Sequence, residues 1–375
     1  MGAIALALVA AAVAGSMVYC AMVVVAAARL PRRGILSKTG VPMSIVKPLS
    51  GADADLKGNL RSFFALGYPE FEILCAVRRE DDAAVAVVEQ LQREFPAVRS
   101  RLLITGEPPY PNAKVYALQH LIAAARFDVL VMSDSDIRVA PDFLDSIAAE
   151  FEDPAVDLLT CLYRAVGGPG LWSRLEALGM NTEFWGGVVV ARMLEGMRFA
   201  VGPTTAARRT AIDGIGGIES LRDYLAEDFV LGKHAAEAGF GVILSRIVVE
   251  HRIGDERFVA NAAHRLRWAR GTRRSRPGGY VGQVFTNPVP LALAMWALAP
   301  GWWPLALVAL GLRAVAAWAV AGPLLGARIH WLLLPVQDLL SYGFWVAGFF
   351  GNHITWRGRR YMLNRDGTFQ VVGTL

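Results

Sequence analysis

Residues 128–140 read DVLVMSDSDIRVA, an apolar run followed at once by two carboxylates. The run Val129–Met132 predicts a buried strand, and Asp134 and Asp136 come directly after it. In an extended segment alternate side chains point the same way, so the two carboxylates can share one ligand. Paired charges at the end of a buried strand are poorly placed unless they bind something. The pattern therefore predicts a site for a cation that also holds a phosphate-bearing ligand.

Short apolar runs alternate with helical stretches between Pro42 and Glu250. The predicted strands are Ser44–Val46, Phe71–Val77, Leu102–Ile104, Asp128–Met132 and Val156–Thr160. The predicted helices are Leu56–Leu66, Ala83–Phe95, Lys114–Ala125 and Pro141–Phe151. This alternation predicts a nucleotide-binding α/β domain with a mostly parallel sheet, in which ligands bind at the carboxyl ends of the strands. Because the chain has no Gly-rich phosphate loop, a metal and basic side chains would have to bind the phosphates.

Three further charged residues lie close to predicted strand ends. Asp81 and Asp82 follow the strand Phe71–Val77 and suit contact with a nucleobase and ribose. An Asp before a helix is also a good N-cap, so both interpretations stay open for this pair. Lys114 begins a predicted helix, where it suits either a phosphate contact or a solvated surface position.

Glu227 and Asp228 begin the helical stretch Phe229–Ala238. A hydroxyl group is a weak nucleophile and needs a positioned base, which a carboxylate here would supply. The alternative is an acid that is favoured at a helix N-terminus by the helix dipole.

A basic and aromatic cluster follows further along the chain: His264, Arg265, Arg267 and Trp268. These side chains offer donors for a departing diphosphate and a flat face for a substrate. Their alternative role is a helix anchor beside the membrane. The helical stretch Leu171–Met197 likewise predicts either a core helix or a helix lying on the bilayer.

Apolar segments at both ends of the chain predict membrane helices. The chain is 54% hydrophobic and 19% charged, below the usual quarter or so of charged residues. Ala3–Ala28 has no charged side chain and is long enough to span a bilayer, and it lacks the basic start of a cleaved signal peptide. Near the other end, Leu305–Ala321 and Trp331–Phe350 are predicted spans, whereas Pro290–Leu298 is short and predicts a re-entrant or interfacial piece.

Basic residues beside the apolar segments predict the orientation. Positive residues mark the cytoplasmic side, and they follow the first span and the last: Arg29, Arg32, Arg33, Arg357, Arg359 and Arg360. The predicted organisation is an anchor at 1–29, a catalytic domain at 40–283, membrane segments at 284–352 and a cytoplasmic tail at 353–375.

The net charge is +5, and its excess beside the membrane indicates anionic lipid as the partner rather than nucleic acid. The three cysteines predict buried thiols in a reducing compartment, without disulfides or metal-ligand spacing: Cys20, Cys75 and Cys161.

The motifs taken in order resemble a known family. They are Val46–Gly51, Phe63–Glu70, Asp134–Val139, Ala226–Phe229 and Arg267–Trp268. As a set they are similar to the ceramide glucosyltransferase family, glycosyltransferase family 21, a branch of the large inverting family-2-like glycosyltransferases. Three further stretches resemble bacterial relatives that glycosylate hopanoid lipids: Thr160–Arg164, Gly170–Arg174 and Leu266–Arg270.

The resemblance implies a Rossmann-like GT-A fold, a UDP-sugar donor carrying glucose or N-acetylglucosamine, a divalent metal (Mg²⁺ or Mn²⁺), and a lipid acceptor, ceramide or hopanoid. It implies that Asp228 is the catalytic base and that Asp134 and Asp136 hold the metal. The implied donor-binding residues are Pro48, Asp82, Lys114, Asp134, His264, Arg267 and Trp268. This chain departs from the family at His264, which replaces Gln or Arg, and at Arg79, which replaces Asp.

The resemblance further implies an integral membrane protein, in a bacterium one of the inner membrane, with a cytoplasmic catalytic domain. Two other functions stay open. A processive polysaccharide synthase would need more spans than this chain has. A membrane-tethered protein that binds a nucleotide sugar without turnover would not need Asp228.

Overall fold

The computed structural model describes residues 2–30, 40–52, 55–255, 257–356 and 358–374. Arg32, Arg33 and Arg357, on which the predicted orientation partly rests, lie outside the described residues.

The strands form two sheets. Their bounds are β1 Met43–Pro48, β2 Phe71–Val77, β3 Ser100–Ile104, β4 Val129–Ser133, β5 Ile137–Arg138, β6 Leu158–Val166, β7 Thr204–Arg208, β8 Val242–Arg252, β9 His353–Trp356, β10 Arg359–Leu363 and β11 Phe369–Thr374. The large sheet has the order β3-β2-β1-β4-β7-β6-β8-β5. Strands β3, β2, β1 and β4 are parallel neighbours, β7 runs antiparallel to both β4 and β6, and β8 runs parallel to β6. The predicted α/β domain with a parallel-rich sheet is confirmed.

Fourteen α-helices lie within the described ranges. Their bounds are α1 Gly2–Ala28, α2 Leu56–Phe64, α3 Ala83–Glu94, α4 Ala113–Ala124, α5 Phe143–Phe151, α6 Leu171–Gly179, α7 Trp185–Glu195, α8 Arg209–Gly214, α9 Glu227–Glu237, α10 Phe258–Ser275, α11 Pro277–Gly282, α12 Pro288–Leu298, α13 Trp303–Ala321 and α14 Leu334–Gly348. The α4 helix begins at a side-chain cap, because Asn112 accepts hydrogen bonds from the backbone N–H groups of Lys114 and Val115. This cap fixes Lys114 in the first turn, at the carboxyl edge of the sheet.

The predicted helix Leu171–Met197 forms α6 and α7, joined by a π-helical turn at Met180–Phe184. Trp185 on this helix is fully buried, and its indole N–H donates to the Tyr163 carbonyl at 2.8 Å. The core interpretation therefore holds for the aromatic face. Leu171 and Leu194, near the two ends, remain exposed.

Within the described residues, two helices are long and apolar enough to cross a membrane: Ile4–Ala28 and Pro300–Ala321. These candidate spans coincide with the predicted N-terminal span and the predicted span at Leu305–Ala321. The helical residues Pro277–Phe285 and Pro288–Leu298 would together form a third, with a bend of 53°. The predicted span Trp331–Phe350 corresponds to a 3-10 turn at Trp331–Leu333 that runs into α14, and it is not among the candidate spans found within the described residues. That this segment crosses a membrane stays a prediction.

Helix α14 is fastened to α13 by a buried ion pair. The Arg313 guanidinium lies 2.9 Å from Asp338, and the two side chains are 3% and 0% exposed. Arg313 also donates to Thr182 in the π-helical turn at 3.1 Å. Because a buried charge has to be paired, this contact holds the apolar helices in one register against the α/β domain.

The predicted tail at 353–375 contains the second sheet, which the sequence analysis did not predict. Strands β9, β10 and β11 pair antiparallel and pack against the loop before α9. The Phe369 N–H donates to the Asp223 carbonyl at 2.8 Å, and Thr368 forms a β-bridge with Tyr224. The small sheet therefore supports the segment that leads into Glu227 and Asp228.

Candidate active site

The candidate site lies where β1 and β4 end side by side. Lys47 near the end of β1 is fully buried, and its ammonium group donates to the Ser133 hydroxyl at 3.2 Å and to the Asp134 carbonyl. It also stands 3.9 Å from the centre of the Phe63 ring. Burial lowers the pKa of Lys47 to about 7, against the opposing charge of Asp134. Lys47 thus fixes the backbone of the Asp-Ser-Asp segment from the protein interior.

Lys114 bridges two acidic elements of the site. Its ammonium group lies 2.7 Å from Asp134 after β4 and 2.8 Å from Glu227 at the start of α9. Burial lowers the pKa of Lys114, but the carboxylates of Asp134, Glu227 and Asp228 outweigh it and raise the pKa. Lys114 is therefore a fixed positive charge at neutral pH. Burial raises the pKa of Asp134 in spite of this partner.

Asp136 faces a different cation. Its Oδ2 lies 3.0 Å from Nε2 of His251 on β8, while its Oδ1 is buried without a hydrogen-bond partner. Burial raises the pKa of Asp136, but the charge and hydrogen bond of His251 prevail and lower it. Burial lowers the pKa of His251, and Asp136 outweighs this and raises it. The hydrogen bond with His251 thus uses Oδ2 of Asp136 and leaves Oδ1 for a further partner.

Asp228 lies in the first turn of α9. Its carboxylate accepts hydrogen bonds from the backbone N–H groups of Gly202 and Phe229. A Cβ at Gly202 would lie 2.7 Å from Asp228, so the glycine permits this close approach. Burial and the neighbouring Glu227 raise the pKa of Asp228 to about 6. A carboxyl group with this pKa can accept a proton near neutral pH.

These predicted residues share one cavity. Its charged and polar rim is contributed by Lys114, Asp134, Glu227 and Asp228, with Pro48 on one wall. Five residues from four separate parts of the chain thus converge at the carboxyl edge of the sheet, where ligands bind in α/β folds.

Asp81 and Asp82 lie apart from that cavity. Asp82 caps α3 by accepting from the Ala84 N–H at 2.9 Å, and it also accepts from the Gly51 N–H at 3.0 Å. The capping interpretation is confirmed, while a nucleotide contact by Asp82 stays a prediction. Asp81 forms an ion pair with Arg79 at the surface.

The basic and aromatic cluster lies on α10. The His264 Nδ1 is 2.7 Å from the buried carboxylate of Glu176, and the His264 ring packs against Trp268 at 5.0 Å. The Arg267 guanidinium stands over the ring of Trp356 in the second sheet. None of these α10 residues lines the cavity described above. Their contacts with a diphosphate stay predictions.

The sequence analysis did not single out three charged residues that hold the site together: Lys47, Glu176 and His251. Lys47 lies within the quoted motif Val46–Gly51, so a lysine inside an apolar strand was an available signal. His251 ends the apolar strand β8, but its partner is 115 positions away in the chain. Only the fold brings such a pair together.

The residues at the strand ends fit a divalent cation. Within the described ranges no group of three or more His, Cys, Asp or Glu side chains converges as a complete ligand set. Mg²⁺ needs only one or two carboxylates when substrate phosphates supply further ligands. The unpartnered Oδ1 of Asp136 and the nearby carboxylate of Asp134 match that smaller requirement.

The chain is similar to known glycosyltransferases. The model of a family described as Glycosyl transferase family 21 matches residues 3–369. Ceramide glucosyltransferase 1 of Caenorhabditis elegans is 30% identical over 54% of this chain and 44% of its own length. Ceramide glucosyltransferase of Komagataella phaffii is 34% identical over 26% of this chain and 20% of its own length. The matched region thus spans less than half of these curated relatives.

A solved structure shares the fold. The mannosyltransferase PcManGT from Pyrobaculum calidifontis, in complex with GDP-Man and Mn²⁺, has a TM-score of 0.56 at 20% identity. The likeness covers 93% of this chain and 99% of that chain. At this identity the likeness shows the fold, and the predicted GT-A fold is confirmed.

Replacing Lys114 tests how the acidic site is held. We expect K114M to lower the free energy of unfolding by about 1–3 kcal/mol at neutral pH, because two half-buried carboxylates lose their cation. The loss should shrink as the pH falls and the carboxylates take up protons. Chemical denaturation of the purified chain at several pH values measures this. K233M is the matched control, since Lys233 pairs with Glu237 on an exposed helix surface. Equal effects of the two substitutions would contradict the assignment.

Proposed function

The chain belongs to glycosyl transferase family 21, and we propose that it transfers glucose or N-acetylglucosamine from a UDP-sugar to the hydroxyl group of a membrane lipid. The observation that carries the proposal is the half-buried Asp228 carboxylate, which lies in one cavity with Lys114 and Asp134. A poised base beside a cationic anchor is what transfer from a nucleotide diphosphate to a hydroxyl requires.

The donor diphosphate would lie at the ends of β1 and β4. Lys114 offers it a fixed positive charge, and Pro48 forms one wall of the cavity. Asp134 and Asp136 would hold a divalent metal, Mg²⁺ or Mn²⁺. When bound, the ion would neutralise negative charge on the departing diphosphate. The solved GT-A relative that contains Mn²⁺ is consistent with this role.

Asp228 would take the proton from the lipid hydroxyl. The freed oxygen forms a bond to the anomeric carbon while the bond from that carbon to the diphosphate oxygen breaks. UDP leaves from the opposite face, so the configuration at the anomeric carbon inverts. The two backbone N–H groups that bind Asp228 fix the direction in which the carboxylate can accept this proton.

The acceptor would approach from the bilayer. Two candidate spans flank the α/β domain in the chain, and α10 carries His264, Arg267 and Trp268 between that domain and the apolar helices. We propose ceramide as the acceptor from the likeness to ceramide glucosyltransferases, with hopanoid as the second candidate. Arg29 after the first span supports a cytoplasmic domain, and in a bacterium the membrane would be the inner one.

A labelling experiment tests donor and acceptor together. Membranes that contain the chain are incubated with radiolabelled UDP-glucose or UDP-N-acetylglucosamine, with ceramide or a hopanoid added. We expect one donor to label one lipid, which mass spectrometry then identifies. Label in a water-soluble polymer would favour a polysaccharide synthase. Absence of label from every pair would favour a binding protein without turnover.

Replacing the proposed base tests the mechanism. We expect D228N to lower turnover roughly 10²–10⁴-fold, because an amide cannot accept the hydroxyl proton. UDP should still bind, as calorimetric titration would show, since Asp228 does not hold the diphosphate. D223N is the matched control on the exposed loop before α9 and should keep full turnover. Wild-type turnover by D228N would refute the base assignment.

The raised pKa of Asp228 predicts a pH dependence. Only the deprotonated carboxylate serves as a base, so kcat/KM should fall as the pH drops through about 6. Glu227 raises the pKa of Asp228 and Lys114 lowers it. The substitution E227Q should therefore move the acid limb of the profile to lower pH. A limb that stays in place in E227Q would show that another group titrates.

A further inference from the structure

A second cavity lies away from the proposed active site. Its volume is about 640 Å³, and it opens between the end of β6, the start of α6 and the segment that follows α13. Four basic side chains line it: Arg164, Arg174, Arg328 and His330. Within the described part of the chain, no carboxylate lines this cavity. The lining therefore favours an anion over a cation.

One of the four basic residues builds the cavity, and three are available to a ligand. Arg164 forms an ion pair with Glu250 at 2.7 Å and donates to the Gly326 carbonyl at 3.1 Å, which ties the α/β domain to the segment after α13. In contrast, the side chains of Arg174, Arg328 and His330 have no hydrogen-bond or ion-pair partner among the residues that the structure describes. The guanidinium groups of Arg174 and Arg328 line one cavity without counter-ions among the described residues, so an anion between them is favourable.

The residues beside the cavity indicate that its ligand is amphiphilic. Trp331 and Leu332 come directly after His330 and are 49% and 93% exposed. The cavity also adjoins the end of α13, which belongs to the candidate span Pro300–Ala321. Exposed Trp and Leu side chains beside basic residues are typical of the membrane interface, where the basic groups contact anionic headgroups. A small free anion would not contact the exposed apolar side chains of Trp331 and Leu332, whereas the acyl chains of a lipid would.

We propose that this cavity binds the phosphate headgroup of an anionic bilayer lipid, whose acyl chains lie along Trp331 and Leu332. The site is separate from the cavity that holds Asp134 and Asp228. It adjoins the active site through one strand, because Ala165 on its wall is paired with His251 of β8. Lipid binding to this cavity is not a step of the sugar transfer, and it can be measured without turnover.

The experiment uses the purified full chain in neutral detergent. Three probes are titrated by calorimetry: dioctanoyl phosphatidylglycerol, dioctanoyl phosphatidylcholine and inorganic phosphate. We expect phosphatidylglycerol to bind at least tenfold more tightly than the other two. The double variant R174Q/R328Q should weaken its binding by roughly 30-fold, since each basic residue near an anionic lipid surface contributes about fivefold.

A matched control is a double variant that loses the same two positive charges outside the cavity. R192Q/R198Q removes two basic side chains that lie outside the cavity, and it should bind phosphatidylglycerol as the wild type does. Because Arg174 and Arg328 are exposed, their variant should keep the thermal unfolding midpoint of the wild type. Equal binding of phosphatidylcholine, or equal losses in both double variants, would overturn the proposal. Inorganic phosphate that binds as tightly as the lipid would overturn it too, and would indicate a site for a free anion.

Discussion

The ion pairs of Lys114 with Asp134 and Glu227 are the constraint on which the candidate site depends. Four carboxylates, Asp134, Asp136, Glu227 and Asp228, gather at one edge of the sheet, where mutual repulsion and loss of water both oppose them. Buried cations make the cluster possible. Lys114 joins the segment after β4 to α9. His251 of β8 pairs with Asp136 and so joins the same segment to β8.

The apolar helices are joined to this edge by buried polar contacts. Arg313 of α13 reaches both Asp338 of α14 and Thr182 of the π-helical turn. The same turn contains Glu183, which accepts a hydrogen bond from Asn287 at 2.9 Å, just before α12. Each of these groups would be unpaired if a helix shifted by one turn. The contacts therefore fix how the apolar helices meet the α/β domain.

Local pattern predicted the parallel half of the sheet and the start of β6, and it missed β5, β7 and β8. Strands β1, β2 and β4 are apolar runs bounded by polar residues, so their own sequence identifies them. Strand β7, Thr204–Arg208, consists of small and polar residues and is buried only because β4 and β6 enclose it. The pairing of Asp136 with His251 and the buried ion pair of Arg313 with Asp338 likewise depend on contacts distant in the chain.

The site gives its carboxylates different chemistry although their side chains are alike. His251 lowers the pKa of Asp136, which therefore stays ionised and can hold a cation across the neutral range. Asp228 forms no ion pair with any residue that the structure describes, and burial and Glu227 raise its pKa to about 6 although the charge of Lys114 lowers it. A group that keeps its charge suits electrostatic binding, whereas one that titrates near neutrality suits proton transfer. The different pKa shifts of the two Asp residues thus follow from the different neighbours that the fold supplies.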